Sequence, residues 1–153
     1  MTTVRLRVSV VALFVDGGEV LLLHQMTPPE PDCWDLPGGG LDPAEDLMSG
    51  LRREVAEETG IHHFQVERLL TVMEGFYPAA SETMHTISLI YQCRVQPKPQ
   101  VFECDPMEVG PGGVRWLQVA ELNRHQCSSR TWKALMAVGL VSPGADRPSS
   151  NGG

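Results

Sequence analysis

Asp42 to Gly60 reads DPAEDLMSGLRREVAEETG, and the rest of the chain is best understood outward from it. Asp42 suits an N-cap, Pro43 the first helical position, and Glu45 the second half of a capping box. Gly60 suits the left-handed position just past a helix end. The spacing therefore predicts a helix over Asp42–Thr59. At about 100° per residue, Ala44, Leu47, Met48, Leu51 and Val55 share one sector, the predicted buried face. Glu54, Glu57 and Glu58 are related by i+3 and i+4, so their carboxylates share a stripe. That stripe lies about 100° from the apolar sector, along its border rather than opposite it. Three carboxylates so close repel one another and need compensation. Arg53, four residues before Glu57, is one source. A hard divalent cation is another, since Mg²⁺ takes oxygen ligands from a few carboxylates and from substrate phosphates. On the helix alone both readings stand: an acidic helix neutralised by arginines, or a metal site.

The flanking segments extend the pattern. Leu36-Pro37-Gly38-Gly39-Gly40-Leu41 reads as a glycine-rich loop whose backbone can approach another group closely. Upstream, Val4–Val15 alternates and then turns continuously apolar, a strand entering a core, with Val20–Leu23 as its hairpin partner across Asp16-Gly17-Gly18. Thr27–Asp32 holds three prolines in five positions and reads as a loop. Downstream, Phe64–Phe76 and Thr83–Val95 are strand-like, Gln96–Gln100 breaks the second, and Val114–Leu117 is a short strand. Ser128–Leu140 has amphipathic helix spacing. Strands, helix, strands and helix in that order predict a mixed α+β sandwich. Residues 1–140 read as one domain and 141–153, rich in Pro, Ser and Gly, as a disordered tail.

Composition narrows the functional classes. Among 153 residues, 12 Lys and Arg face 19 Asp and Glu, a formal charge of −7. That balance argues against nucleic-acid backbone binding, which needs clustered basic side chains. Cys33, Cys93, Cys104 and Cys127 form no CxxC pair and no zinc spacing, so free thiols in the cytoplasm are expected. Arg5 and Arg7 before Val8–Val15 imitate a signal peptide, but no small-x-small site follows and a hairpin explains the run better. No stretch reaches the ~18–20 apolar residues of a membrane span.

Taken together, Gly39, Glu45, Arg53, Glu54, Val55, Glu57, Glu58, Gly60 and Ile61 resemble the signature of the Nudix hydrolase family, Gly-x5-Glu-x7-Arg-Glu-U-x-Glu-Glu-x-Gly-U, where U is bulky and aliphatic. Every fixed position is filled across Gly39–Ile61. Weaker likeness extends to Trp34-Asp35-Leu36-Pro37 and to Val114-Arg115-Trp116-Leu117. The resemblance implies an α/β/α sandwich with a mixed central sheet. It also implies Mg²⁺-dependent hydrolysis, with Mn²⁺ as substitute, of a nucleoside diphosphate linked to another group X. By the same resemblance Glu54, Glu57, Glu58 and the Gly38 carbonyl are metal ligands, Glu54 helps activate water, Arg53 orients the glutamates, and Glu45 supports Arg53. An acidic protein then meets its anionic small-molecule nucleotide through metal rather than a basic patch. Dimers are common in the family, so a homodimer is compatible, although no interface stripe is legible.

Outside the box the signals thin. Glu108, eight residues before Trp116, is the candidate late-loop acid, as catalytic base or metal ligand, with Glu103 and Glu82 as rivals. Trp34, Phe76 and Tyr77 are candidates to stack on a base or to serve in packing. His85 reads as a structural histidine or a phosphate contact. His62 and His63 follow the helix end and receive no function. Pro78, 17 residues beyond Ile61, stands near where ADP-ribose-cleaving members carry a proline. The expected substrate is accordingly ADP-ribose or another nucleotide sugar. The alternatives are a (deoxy)nucleoside triphosphate, oxidised ones included, and a non-catalytic nucleotide-sensing module.

Overall fold

Val10 to Phe14 is apolar without alternation because both of its faces are covered. In the computed structural model, which describes residues 3–143, these five side chains are at most 1% exposed. They lie in β1 (Thr3–Asp16). Val10, Ala12 and Phe14 pack with Leu51 and Val55 of helix α1 (Leu47–Thr59). Val11 and Leu13 point the other way, into a second core with Trp132, Ala134 and Leu135 of helix α2 (Ser129–Ala137). Strands buried on both faces read as unbroken apolar runs. Each large side chain so buried stabilises the fold by about 1.5–3 kcal/mol.

The remaining strands are β2 (Glu19–Gln25), β3 (Cys33–Asp35), β4 (Gly38–Gly40), β5 (Gln65–Pro78), β6 (Glu82–Arg94) and β7 (Val114–Gln118). Their order is β3-β2-β1-β6-β5, with β4 also paired to β1 and β7 to β2. β1 and β6 run parallel from Thr3 opposite Glu82 to Phe14 opposite Cys93, and the other pairs are antiparallel. The sheet is mixed, with one helix on each side, as expected.

Three expectations are corrected. First, α1 begins at Leu47 with Asp46 as N-cap, its side chain accepting from the Ser49 N–H at 2.8 Å. Asp42 instead opens a turn, with Glu45 N–H donating to the Asp42 carbonyl. The capping-box half-bond from Asp42 N–H to Glu45 Oε1 survives there at 3.0 Å. Second, the buried face is rotated. Ala44 is in the turn and exposed and Leu47 is exposed, whereas Gly50, Leu51, Val55, Glu58 and Thr59 are buried and Met48 is half-buried. Third, the glycine-rich loop contains strand β4. Glycine has no strand propensity, and β4 exists because β1 offers it a ladder from Ser9 to Val11. Of the tail expected to be disordered from residue 141, Val141 is buried in the core, and residues 144–153 lie outside the described residues.

Candidate active site

The site grows from the contact of α1 with β4. Gly60 closes α1 in the left-handed conformation, φ 79°, its N–H on the Ala56 carbonyl. The last turn is thereby held down, and Glu58 is carried inward. Glu58 is 5% exposed, and its Oε1 accepts the Gly38 N–H at 3.0 Å. Burial pushes its carboxyl well above the usual range. The Gly38 bond opposes this, and the charges of Glu54 and Asp35 add to it. Glu54 is also raised, first by burial, with Arg53 opposing and Glu57 and Glu108 reinforcing. Glu57 stands outermost, its side chain about half exposed. The stripe thus runs from the interior to solvent.

Two glycines shape the cleft. Gly38 has φ 137°, and a Cβ there would lie 2.2 Å from the Val10 carbonyl oxygen. At Gly39 a Cβ would lie 2.7 Å from Glu54 Oε2. These clashes separate two outcomes. Gly38→Ala meets rigid backbone and is expected to cost ~3 kcal/mol or more of stability, read by denaturant melts. Gly39→Ala meets only a carboxylate, so it is expected to displace Glu54 and lower activity while melting near wild type.

Arg53 ties the acids together. Its Nε and Nη2 donate to the two oxygens of Glu45 at 3.0 and 2.6 Å. Its Nη1 reaches Glu54 at 3.0 Å and Glu57 at 3.4 Å, and Nη2 also reaches the Gly40 carbonyl at 3.3 Å. The bidentate pair fixes the guanidinium plane. Arg53 pulls the Glu45 carboxyl down to about 2.

The residues present suit a hard divalent cation. They are carboxylates, those of Glu54 and Glu58 with raised proton affinity, beside the backbone carbonyls of the glycine strand β4. Among the described residues no three His, Cys, Asp or Glu side chains already converge on one point. Arg53 accounts for that, since it draws Glu54 and Glu57 to itself. Glu57 is the exposed acid of the three, held by Arg53 at 3.4 Å.

Of the late-loop acids, Glu108 is exposed in the turn that follows Asp105, and its charge adds a small upward push on the Glu54 carboxyl. Glu103 lies behind the helix end, its N–H on the Thr59 carbonyl, and Glu82 opens β6 opposite Thr3. Phe76 and His85 stack on each other at 4.1 Å, and His85 Nε2 bonds Glu74 at 2.8 Å. Trp34 packs beside His24. His62 and His63 are exposed.

Missed at the level of sequence was a buried ion pair beneath a second pocket. Arg130 of α2 donates through Nε and Nη2 to Asp35 at 2.9 and 2.7 Å. Ser128 Oγ and Leu36 N–H add bonds at 2.7 and 2.9 Å. Around the pair a pocket is lined by Arg7, Ser9, Met73, Tyr77, Met84 and Ser88, among others. Asp35 stands in the quoted Trp34-Asp35 segment, but nothing in the sequence joins it to an arginine 95 positions later.

Comparison with known proteins gives the family of the fold. The NUDIX domain family profile matches residues 3–137, and the chain belongs to that family. Human 8-oxo-dGDP phosphatase NUDT18 is 40% identical over 76 residues, 46% of this chain and 23% of that protein. The RNA pyrophosphohydrolase of Caulobacter vibrioides is 45% identical over 51 residues, 33% of this chain and 30% of that protein. The chain thus spans under a third of the length of these curated relatives. Among solved structures, a MutT NUDIX hydrolase from Burkholderia pseudomallei is 30% identical with TM-score 0.69, over 88% of this chain and 98% of that one. Members of the family act on phosphoric anhydride bonds and generally use divalent metal ions. Among the described residues no helix is long and apolar enough to cross a membrane.

Proposed function

We propose that this chain is a divalent-metal-dependent pyrophosphohydrolase, cleaving a nucleoside diphosphate linked to a group X. The observation that carries this reading is the graded set Glu54, Glu57 and Glu58, with Glu58 held against Gly38 and Glu54 and Glu57 held by Arg53. When bound by these acids and the Gly38 carbonyl, Mg²⁺ or Mn²⁺ would neutralise the pyrophosphate oxygens and make a coordinated water a better nucleophile. Arg53 orients Glu54 and Glu57, and Glu45 holds Arg53. Glu54 and Glu108 are the candidates to take the proton of the attacking water.

The pocket over Arg130 and Asp35 is the place for the base or for X. Its donors Arg7, Ser9, Ser88 and Tyr77 suit carbonyl and hydroxyl acceptors, and Met73 and Met84 suit an apolar ring. A nucleoside di- or triphosphate, oxidised ones included, has a specific observation in its favour, the identity to an 8-oxo-dGDP phosphatase. ADP-ribose or another nucleotide sugar is the second reading. It rests on Pro78, which ends β5 on the surface, with its neighbour Tyr77 in the pocket.

The test is chromatography of products after incubation with Mg²⁺ and a panel of oxidised and normal nucleotides, nucleotide sugars and dinucleoside polyphosphates. Metal-dependent release of a nucleoside monophosphate is expected. No turnover on any compound, with nucleotide still binding, would overturn the enzyme in favour of a sensing module. Glu108→Gln is expected to lower kcat about 10²-fold with KM little changed. An unchanged kcat would remove Glu108 from the reaction.

A further inference from the structure

His24, at the end of β2, is wrapped by the loop that carries Glu108. The loop turns at Asp105, whose carbonyl accepts both Glu108 and Val109 N–H, and Val109 is buried. Beyond it the chain closes around one residue. Gly110 N–H donates to the His24 carbonyl at 2.8 Å, and His24 N–H donates to the Gly113 carbonyl at 2.9 Å. The third bond is from the side chain, as His24 Nδ1 accepts the Gly112 N–H at 2.9 Å. The fit is close. A Cβ at Gly110 or Gly112 would lie 2.9 Å from the imidazole.

These bonds settle the tautomer. A backbone N–H can only donate, so Nδ1 facing Gly112 is the bare acceptor and Nε2 carries the proton. Nε2 accordingly donates to Asp32 Oδ1, 2.8 Å away. Asp32, Cys33 and His125 are the titratable groups around the imidazole, with Trp34 and Gln126 completing its surroundings. A second proton on the ring would have to sit on Nδ1, against the Gly112 N–H. Two donors would then face each other, and the clamp would lose its side-chain bond.

We propose that His24 is a positioning residue for this enzyme, holding the Asp105–Gly113 loop that carries Glu108, and that protonation of Nδ1 releases the loop. The proposal rests on the reading of Glu108 as a participating acid, and its two tests fail separately from that reading. The first needs no turnover. In the isotopically labelled full chain, the amide signals of Gly112 and Glu108 are expected to move with the same midpoint as the His24 ring as pH is lowered. A titrating ring with stationary loop amides overturns the clamp, even if no substrate is ever found.

The second test is kinetic. His24→Ala is expected to lower kcat about tenfold or more, the usual effect of losing a supporting partner. In a Glu108→Gln background the same change is expected to cost nothing further. Equal losses in both backgrounds would overturn action through Glu108. His24→Asn keeps an acceptor where Nδ1 stands and cannot titrate. It is expected to restore the rate and to remove the part of the acid-side decline that follows the His24 midpoint. An acid limb unchanged in His24→Asn would overturn the switch.

Discussion

Glu58→Gln is expected to lower kcat about 10²–10³-fold while the fold persists. The carboxylate is buried against Gly38 with one oxygen committed to its N–H. Glutamine keeps the shape and an oxygen for that bond. What it loses is the negative charge that attracts a cation. Burying a neutral amide is also cheaper than burying a carboxylate. The metal-free variant should therefore melt at or above wild type, and added Mg²⁺ should raise its melting point less. Activity assays with parallel thermal melts read both. A variant that hydrolyses substrate at the wild-type rate would sink Glu58 as a metal ligand.

Arg130→Met is expected to destabilise the protein by about 3–5 kcal/mol, because it strands Asp35 in the interior without a partner. That corresponds to a fall in melting temperature of roughly 10 °C or more. Burial alone would push the Asp35 carboxyl up. The charge and hydrogen bonds of Arg130, with Ser128 and Leu36, outweigh it and hold the group below its ordinary value. The sign follows. A carboxylate with a depressed folded pKa contributes stability above its unfolded pKa of about 3.9 and loses it as pH falls through the folded value. Wild type and Arg130→Met should thus differ most at neutral pH and converge in acid. The double variant Asp35→Asn, Arg130→Met should recover part of the loss, since no buried charge is left unpaired. A single-variant loss below ~1 kcal/mol would mean that water reaches Asp35 and that the pair is a surface bridge in effect.

The two predictions differ in how they were reached. Glu58 was legible before any coordinates, because three glutamates at i, i+3 and i+4 must share a helix stripe whatever surrounds the helix. Helix periodicity is local, and so is the chemistry of acidic oxygens. The same locality explains the errors. Pro43 and Glu45 favoured Asp42 as the cap, whereas the structure uses Asp46, whose side chain accepts the Ser49 N–H. Tertiary contact chose Asp46, and Arg53 drew Glu45 out of the helix into a turn. β4 could not be foreseen from three glycines. It needs β1 beside it.

The sequence by itself determined the entry of β1 into a core, the helix with its acid stripe, the glycine loop before it, and through them the family. Each depends on residues within one or two turns of each other. Only the tertiary structure decided that Glu58 is interior and Glu57 exterior, that Glu103 lies behind the helix end and Glu82 at the start of β6, and that Asp35 meets Arg130. It alone put His24 inside the Glu108 loop. Those pairings span tens of residues. They are set by how strands register and helices dock, which no periodicity along the chain records.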